Sequence, residues 1–458
     1  MKKILVIAAT LMIALTVSLG VMLKASAQTT TDYYKQYGAF DADKNSVKVD
    51  NWDRFIAAYQ DESVTKIILI ADITDTSKNG PHGPTNYKRQ NSLEIDGQNH
   101  QLTLKKYHGL RTSEKATGFT EEKSGNPFSR SFFHMHDISI RQNLNGVAAA
   151  VGNYSSFAFV GASDVHASWG LEASKYEENM TKNWYFRFGN VTTAQDDNTD
   201  NAKGVARLVM AYGAAVSLYG KIDLSTSAEN MYVGSLTVED GTSWTGKTEH
   251  YNYATVWFAI DSPKDGTGHS QALTIGKDCQ IELANPDHGR DYPAFYGHYG
   301  QAVIGENSQV KVNNKGVAWR FDQDKSRLTI KKGANLTLTS TGKGKVIQFG
   351  RGPLRSGKVS DCQLTIESGG ALFVSGKTDG AGQLSLIDFT GGSLMVPFKG
   401  YEAKNCQIKV ASGAIFDSQN QATGRHVQRH RTINLRNETN QLIFEDHQLK
   451  LWSVKTPV

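Results

Sequence analysis

The sequence predicts an all-β solenoid, on three observations: one strand–turn–strand unit recurs, its apolar residues alternate with polar ones, and a more aromatic strand type falls between the copies. The unit is plain at Leu328-Thr329-Ile330, Gly333-Ala334 and Leu336-Thr337-Leu338. It returns at Leu236-Thr237-Val238 with Gly241, at Leu273-Thr274-Ile275 with Ile281-Glu282-Leu283, and at Ala302-Val303-Ile304 with Val310-Lys311-Val312. Later copies are Leu364-Thr365-Ile366 with Leu372-Phe373-Val374, and Ile408-Lys409-Val410 with Ile415-Phe416. The intervening strands are Val256-Trp257-Phe258, Val317-Ala318-Trp319, Val346-Ile347-Gln348-Phe349 and Leu384-Ser385-Leu386-Ile387.

Each unit leaves an apolar face open until the next stacks on it, which is the logic of a solenoid. Copies beginning at Leu328, Leu364 and Ile408 are 36 and 44 residues apart, and with the intervening strand each half of that spacing, about 18 to 22 residues, is one coil. About a dozen coils at a strand separation of ~4.8 Å make a rod on the order of 60 Å long. A β-propeller, the competing repeat, needs about four strands per 40 to 50 residues at regular intervals. The intervals here are too uneven to close a ring.

Before these copies, Trp52, Phe55, Ile56 and Tyr59 fall on one face of a short amphipathic helix, with Asp50 as the expected N-cap and Asp53 in the first turn. A helix here suits a cap over the open end of the stack. Ahead of it, Lys2-Lys3, an apolar run from Ile4 to Leu23 and Ala25-Ser26-Ala27 read as a secretory signal peptide over residues 1–27. An uncleaved anchor is the alternative, since some twenty apolar residues just span a bilayer. The remaining divisions are an N-terminal linker at 28–49, one β-helical domain with its cap at 50–450, and a tail at 451–458. Neither an apolar tail nor a sorting motif stands before Val458, so retention at a surface is expected to be non-covalent.

Composition narrows the function. The 458 residues are 39% apolar, with 43 glycines and 9 prolines, which excludes a disordered polymer and a collagen-like chain. Without Lys2, Lys3 and Lys24, the 50 Lys and Arg fall to 47 against 45 Asp and Glu, too balanced for a general nucleic-acid binder. Three cysteines rule out a disulfide scaffold. Cys279, Cys362 and Cys406 each adjoin a strand of the recurring unit, where a small apolar side chain can stack inside. With coils of half the repeat, Cys362 and Cys406 stand two coils apart, beyond disulfide reach.

Several linked motifs carry a family resemblance. Asn51-Trp52-Asp53-Arg54-Phe55, Val64-Thr65-Lys66-Ile67, Ala71-Asp72-Ile73 and Leu93-Glu94-Ile95-Asp96-Gly97 form the first series. Asn183-Trp184-Tyr185-Phe186-Arg187-Phe188-Gly189-Asn190-Val191 is the second, and Ala214-Ala215-Val216-Ser217-Leu218-Tyr219-Gly220-Lys221 with Glu229-Asn230 and Val233-Gly234-Ser235-Leu236 the third. The chain, over roughly residues 45 to 450, resembles the pectate-lyase-like adhesive domain of Gram-positive surface proteins. The resemblance implies a right-handed parallel β-helix on an exported protein, extracellular or loosely held at the cell surface. It implies adhesion to carbohydrate, wall polymer or a surface protein. The second reading on the same fold is an extracellular polysaccharide lyase or hydrolase.

The residues favour binding over catalysis. A lyase needs carboxylates holding Ca²⁺ against an acidic sugar and an Arg or Lys to take the proton. Arg351-Gly352-Pro353-Leu354-Arg355 resembles the arginine motif of active pectate lyases but is one residue short, which changes the side to which Arg355 points. The catalytic motif is therefore incomplete, Arg351 and Arg355 are its weak candidates, and no cofactor is expected unless the lyase reading brings Ca²⁺. Asp72 and Asp96 read as turn residues that bond nearby backbone. The acidic run Asp196-Asp197-Asn198-Thr199-Asp200-Asn201 lacks the Gly and Glu of a calcium loop. His134 and His136 share one strand face without a Cys or third His at ligand spacing, and read as structural.

Two surfaces remain. Tyr292, Phe295, Tyr296 and Tyr299, among His288 and His298 in a Gly/Pro-rich stretch, suit sugar rings, whose apolar faces pack on aromatic ones. Arg425, Arg429, Arg431 and Arg436, with His426 and His430, form a cationic run with no acidic residue from 419 to 437. Such a run holds anionic wall polymers, or is simply a solvated edge.

Overall fold

Alternation of buried and open positions along short runs forces strands, and the strands stack in parallel. The computed structural model describes residues 41–77, 87–105, 110–112, 131–143, 184–193, 207–210, 215–226, 229–248, 254–258, 272–285, 292–297, 300–321, 325–343, 345–349, 362–377, 386–388, 407–421, 425–429, 433–436 and 441–443. The signal-peptide segment lies outside them, as do Tyr299, Arg351, Arg355, Cys406, Arg431 and the acidic run at 196–201.

The fold is a parallel β-helix with three faces. On the first face, Ser46–Val49, Lys66–Leu69, Leu93–Asp96 and the opening halves of Ser131–Asn143, Trp184–Thr193 and Ala215–Thr226 pair in parallel. Ser235–Val238, Ala272–Ile275, Gln301–Ile304, Arg327–Ile330, Gln363–Ile366 and Gln407–Val410 continue the same row, bringing it to twelve strands. The second face runs alongside, from Ile73–Thr74 and Gln101–Lys105 to Ala371–Lys377 and Ile415–Asn420. The third face is the aromatic row, Val209–Met210, Met231–Val233, Val256–Phe258, Phe295–Gly297, Trp319–Phe321, Ile347–Phe349 and Ile387–Asp388.

This arrangement corrects the coil length. First-face strands begin at Arg327, Gln363 and Gln407, so the intervals of 36 and 44 residues are whole coils, not pairs of coils. The aromatic strand is the third side of the same turn, because each row pairs only with its own kind in the next coil. Gln363 and Gln407 are direct register partners, so their strands are neighbours one coil apart, not two. The first strand, Ser46–Val49, also lies inside the segment read as a linker, with Val49 fully buried.

The core is a set of side-chain ladders along the rod. Ile67, Ile95, Met135, Phe188, Leu218, Val238, Ile275, Ile304, Ile330, Ile366 and Val410 follow one another in register, and all are buried. Behind the third face, Phe295 sits 4.4 Å from Trp319, and Phe321 stacks on Phe349 at 4.8 Å. At one end, the helix Trp52–Gln60 buries Trp52, Phe55, Ala58 and Tyr59 against the first coils. Its N-cap is Asn51, whose side chain accepts from the Arg54 amide, and not Asp50, which pairs with the Arg54 guanidinium instead. An amide oxygen caps as well as a carboxylate, and Asn51 is the residue adjacent to the first turn.

Between the first and second faces the chain turns through the left-handed region in coil after coil, at Asp137, Asn190, Gly220, Gly241, Asp278, Asn307, Gly333, Gly369 and Gly413. These turns bond to one another along the rod, as from Gly333 N–H to the Gly369 carbonyl and from Gly369 N–H to that of Gly413. Gly333 has φ of +70°, and a Cβ there would stand 2.3 Å from Oδ1 of Asn307, whose amide donates to Asp278 at 3.1 Å. Gly241 has a similar φ, +72°, with nothing near an added Cβ. Gly241→Ala is therefore expected to cost about 1 kcal/mol from backbone conformation alone. Gly333→Ala should cost more, visible as a larger drop in the urea midpoint. Equal drops would mean that the turns do not lean on one another.

Candidate functional site

Because the strands alternate, every coil also writes one row of side chains on the outside, and two of these rows are chemically distinctive. On the third face, register aligns Tyr232, Trp257, Tyr296, Arg320 and Gln348. The Tyr232 and Trp257 rings stack at 5.3 Å, and Tyr296 meets Trp257 edge-on at 4.9 Å. Tyr292 joins at 6.2 Å from Trp257 and 5.9 Å from Tyr296. All four rings are half-buried, so each leaves part of its surface to solvent. The buried Arg320 guanidinium lies 5.7 Å from the centre of the Tyr296 ring and holds it from one side.

Of the aromatic residues singled out in the sequence, Tyr292 and Tyr296 lie on this surface. Phe295 does not: it is fully buried and packs on Trp319. Its neighbour Tyr296 takes the outward place because successive residues of a strand face opposite ways. Tyr232 and Trp257 were legible in principle, since Val256 and Phe258 alternate inward around Trp257. Arg425 and Arg429 lie on the strand Arg425–Arg429, antiparallel to Ile415–Asn420, and Arg436 ends Ile433–Arg436, antiparallel to Gln407–Val410. The cationic run therefore sits on strands that fold back over the last coil.

The second row lies outside the first face of the early coils. Lys66, Glu94, His134, Arg187 and Ser217 are register partners, and beside them run Asp96, His136, Gly189 and Tyr219. Although they point away from the interior, Glu94, His134, Arg187 and Ser217 are buried. Glu94 accepts from Lys66 Nζ at 2.7 Å and places one carboxylate oxygen 3.3 Å from His134 Nδ1 and the other 3.3 Å from His136 Nε2. The far nitrogens are also held: His134 Nε2 meets the Tyr219 hydroxyl at 2.8 Å, and His136 Nδ1 meets Asp137 at 2.6 Å. Arg187 makes two 2.7 Å bonds to Glu239 and lies 4.0 Å over the Tyr219 ring. Gly189 leaves the room for that ring, since a Cβ there would stand 1.9 Å from it.

Burial, then the neighbouring His136, pushes His134 down to about 3. Burial alone would lower His136 too, but its bonds to Asp137 and Glu94 outweigh it and raise it to about 9. Glu94, which burial would raise, is held well below the usual carboxylate range by both imidazoles. The two histidines were seen in the sequence. Their carboxylate partners were not, because Glu94 reaches His134 across 40 residues of chain. Asp96 accepts from the Gln98 amide at 3.1 Å, the turn role expected of it, whereas Asp72 accepts from the Gln101 amide at 2.9 Å, in the next coil and not in its own turn.

The fold and its outer rows define the class: a parallel β-helix that displays ordered side-chain ladders on its outer faces. Residues 46–212 match the family model described as "putative pectate lyase-like adhesive domain". Among solved structures, the chain is similar to a chain described as L. reuteri 53608 SRRP, at 11% identity and a TM-score of 0.40, over 79% of this chain and 99% of that one. No curated protein sequence matches.

Proposed function

We propose that the chain is an adhesive module that binds carbohydrate on the outer third face, in an extracellular or cell-surface setting. The observation that carries this reading is the ladder of Tyr232, Trp257, Tyr296 and Tyr292, half-buried rings fixed at successive coils. Steps of ~4.8 Å along a rigid face suit an extended glycan whose residues meet one ring after another. Stacking on the apolar face of a sugar asks only for aromatic surface, and rings already held by neighbours lose little entropy on binding. The adhesive-domain match at residues 46–212 supports the same reading from a different part of the chain. Wall polymer or a host surface component is the partner, and the arginines of the closing strands are the region to lie on an anionic one.

Binding of the purified chain to a glycan panel tests this, with Trp257→Ala and Tyr296→Ala in parallel. Each variant is expected to lose roughly tenfold in affinity, about 1.4 kcal/mol, while keeping the parent's melting curve. Binding unchanged in both variants would move the site off this face. Unsaturated products from polygalacturonate in the same preparations would favour the lyase reading instead.

A further inference from the structure

We propose that Glu94, His134 and His136 form a binding site for one divalent transition-metal ion of the zinc type, buried under the outer side of the early coils. Each of the three offers a ligand atom, and these atoms lie within 4.8 Å of one another. The two nitrogen-to-oxygen distances of 3.3 Å are long for a charge-assisted hydrogen bond, which runs about 2.7–2.9 Å. They run to different oxygens, Oε2 for His134 and Oε1 for His136, and a turn of the carboxylate lets one oxygen and both nitrogens close on an ion at the zinc bond length of about 2.0 Å. The two imidazoles and the carboxylate are near enough to converge on one ion.

The surroundings have the form that metal-binding histidines require. A ligating imidazole presents one nitrogen to the metal and gives its other N–H to an oxygen acceptor, which fixes tautomer and ring angle. Here Asp137 takes that place for His136 at 2.6 Å, and the Tyr219 hydroxyl for His134 at 2.8 Å. Both free nitrogens are thereby turned towards Glu94. Lys66 holds the carboxylate from behind at 2.7 Å. A second trio, Asp96, His136 and Asp137, shares His136, but it would use the nitrogen already bonded to Asp137. Two imidazoles and one carboxylate favour zinc over calcium, whose ligands are oxygens. His136 is the more accessible of the two imidazoles, its side chain 12% exposed against 0% for His134.

The test uses the untagged chain stripped with a chelator, then titrated with Zn²⁺, Co²⁺ and Ca²⁺. One equivalent of Zn²⁺ should bind and raise the melting temperature, Co²⁺ should give the intense visible bands of a tetrahedral site, and Ca²⁺ should do neither. His136→Asn should abolish both binding and the Zn²⁺-dependent rise in melting temperature. Asp137→Asn keeps every ligand and a residue type suited to the φ of +52° at that position, and should weaken Zn²⁺ roughly 10- to 100-fold. This second variant carries the test if the first fails to fold. A stripped parent that binds Zn²⁺ no more tightly than the Asp137→Asn or His136→Asn chain overturns the proposal. So does a Ca²⁺ response equal to that of Zn²⁺.

Discussion

Ile366→Asp is expected to unfold the middle of the rod. Ile366 is fully buried, with Ile330 one coil before it and Val410 one coil after it in direct register. Removing the side chain costs about 2–5 kcal/mol in lost packing, and the carboxylate then has to be buried without a partner or protonated at a further cost. The sum exceeds about 5 kcal/mol, which consumes most of the stability of an ordinary domain. Each coil depends on its neighbours, so the loss should spread along the stack as a broadened, early transition. Ile366→Val, by contrast, should cost about 0.5–1.5 kcal/mol. Thr365→Asp, on the opposite side of the same strand, should change little. An Ile366→Asp chain with the parent's urea midpoint would show that residue 366 does not face inward.

Arg207→Met should be the next most damaging change. Arg207 and Glu229 are both buried, joined by a 2.6 Å bond from Nε to the carboxylate, and they tie the first two strands of the third face together. Burial pushes the Glu229 carboxyl above its ordinary range, while Arg207 pulls it back. Without the guanidinium the carboxylate has no such counter-charge, and breaking a buried pair in this way costs about 3–5 kcal/mol. The double variant Arg207→Met/Glu229→Leu removes the stranded charge and should recover most of the loss, since apolar replacement of a whole buried pair is often neutral. Equal melting temperatures for the single and double variants would show that the cost lies in packing and not in the ion pair.

Much of this architecture could be read from residues. The ladder of Ile330, Ile366 and Val410 follows from alternation and repeated spacing, which are local signals. The coil length could not be counted in the same way, because strand spacing along the chain does not say how many sides a turn has. That depends on which strand pairs with which, and only the register of Gln363 with Gln407 decides it. The outward rings divide similarly. Tyr296 was found from composition, whereas Phe295 was misplaced because a Gly/Pro-rich stretch hides the phase of the strand inside it. The imidazole pair was visible as two residues apart on one strand. Its carboxylate arrives from the preceding coil, and no sequence spacing encodes that meeting.

The strands that fold back over the last coil also bear on how copies of the chain meet. A parallel stack has two open rims, each a template on which an identical chain could continue the same hydrogen-bond pattern. Here Arg425–Arg429 lies antiparallel on the final second-face strand and Ile433–Arg436 on the final first-face strand, with Gln441–Ile443 pairing in turn outside Ile433–Arg436. On the second face, an approaching copy meets a strand running against the direction of the stack, where the rest of that row offers parallel neighbours. On that face, continuation of the parallel pattern from one copy to the next is disfavoured by strand direction itself.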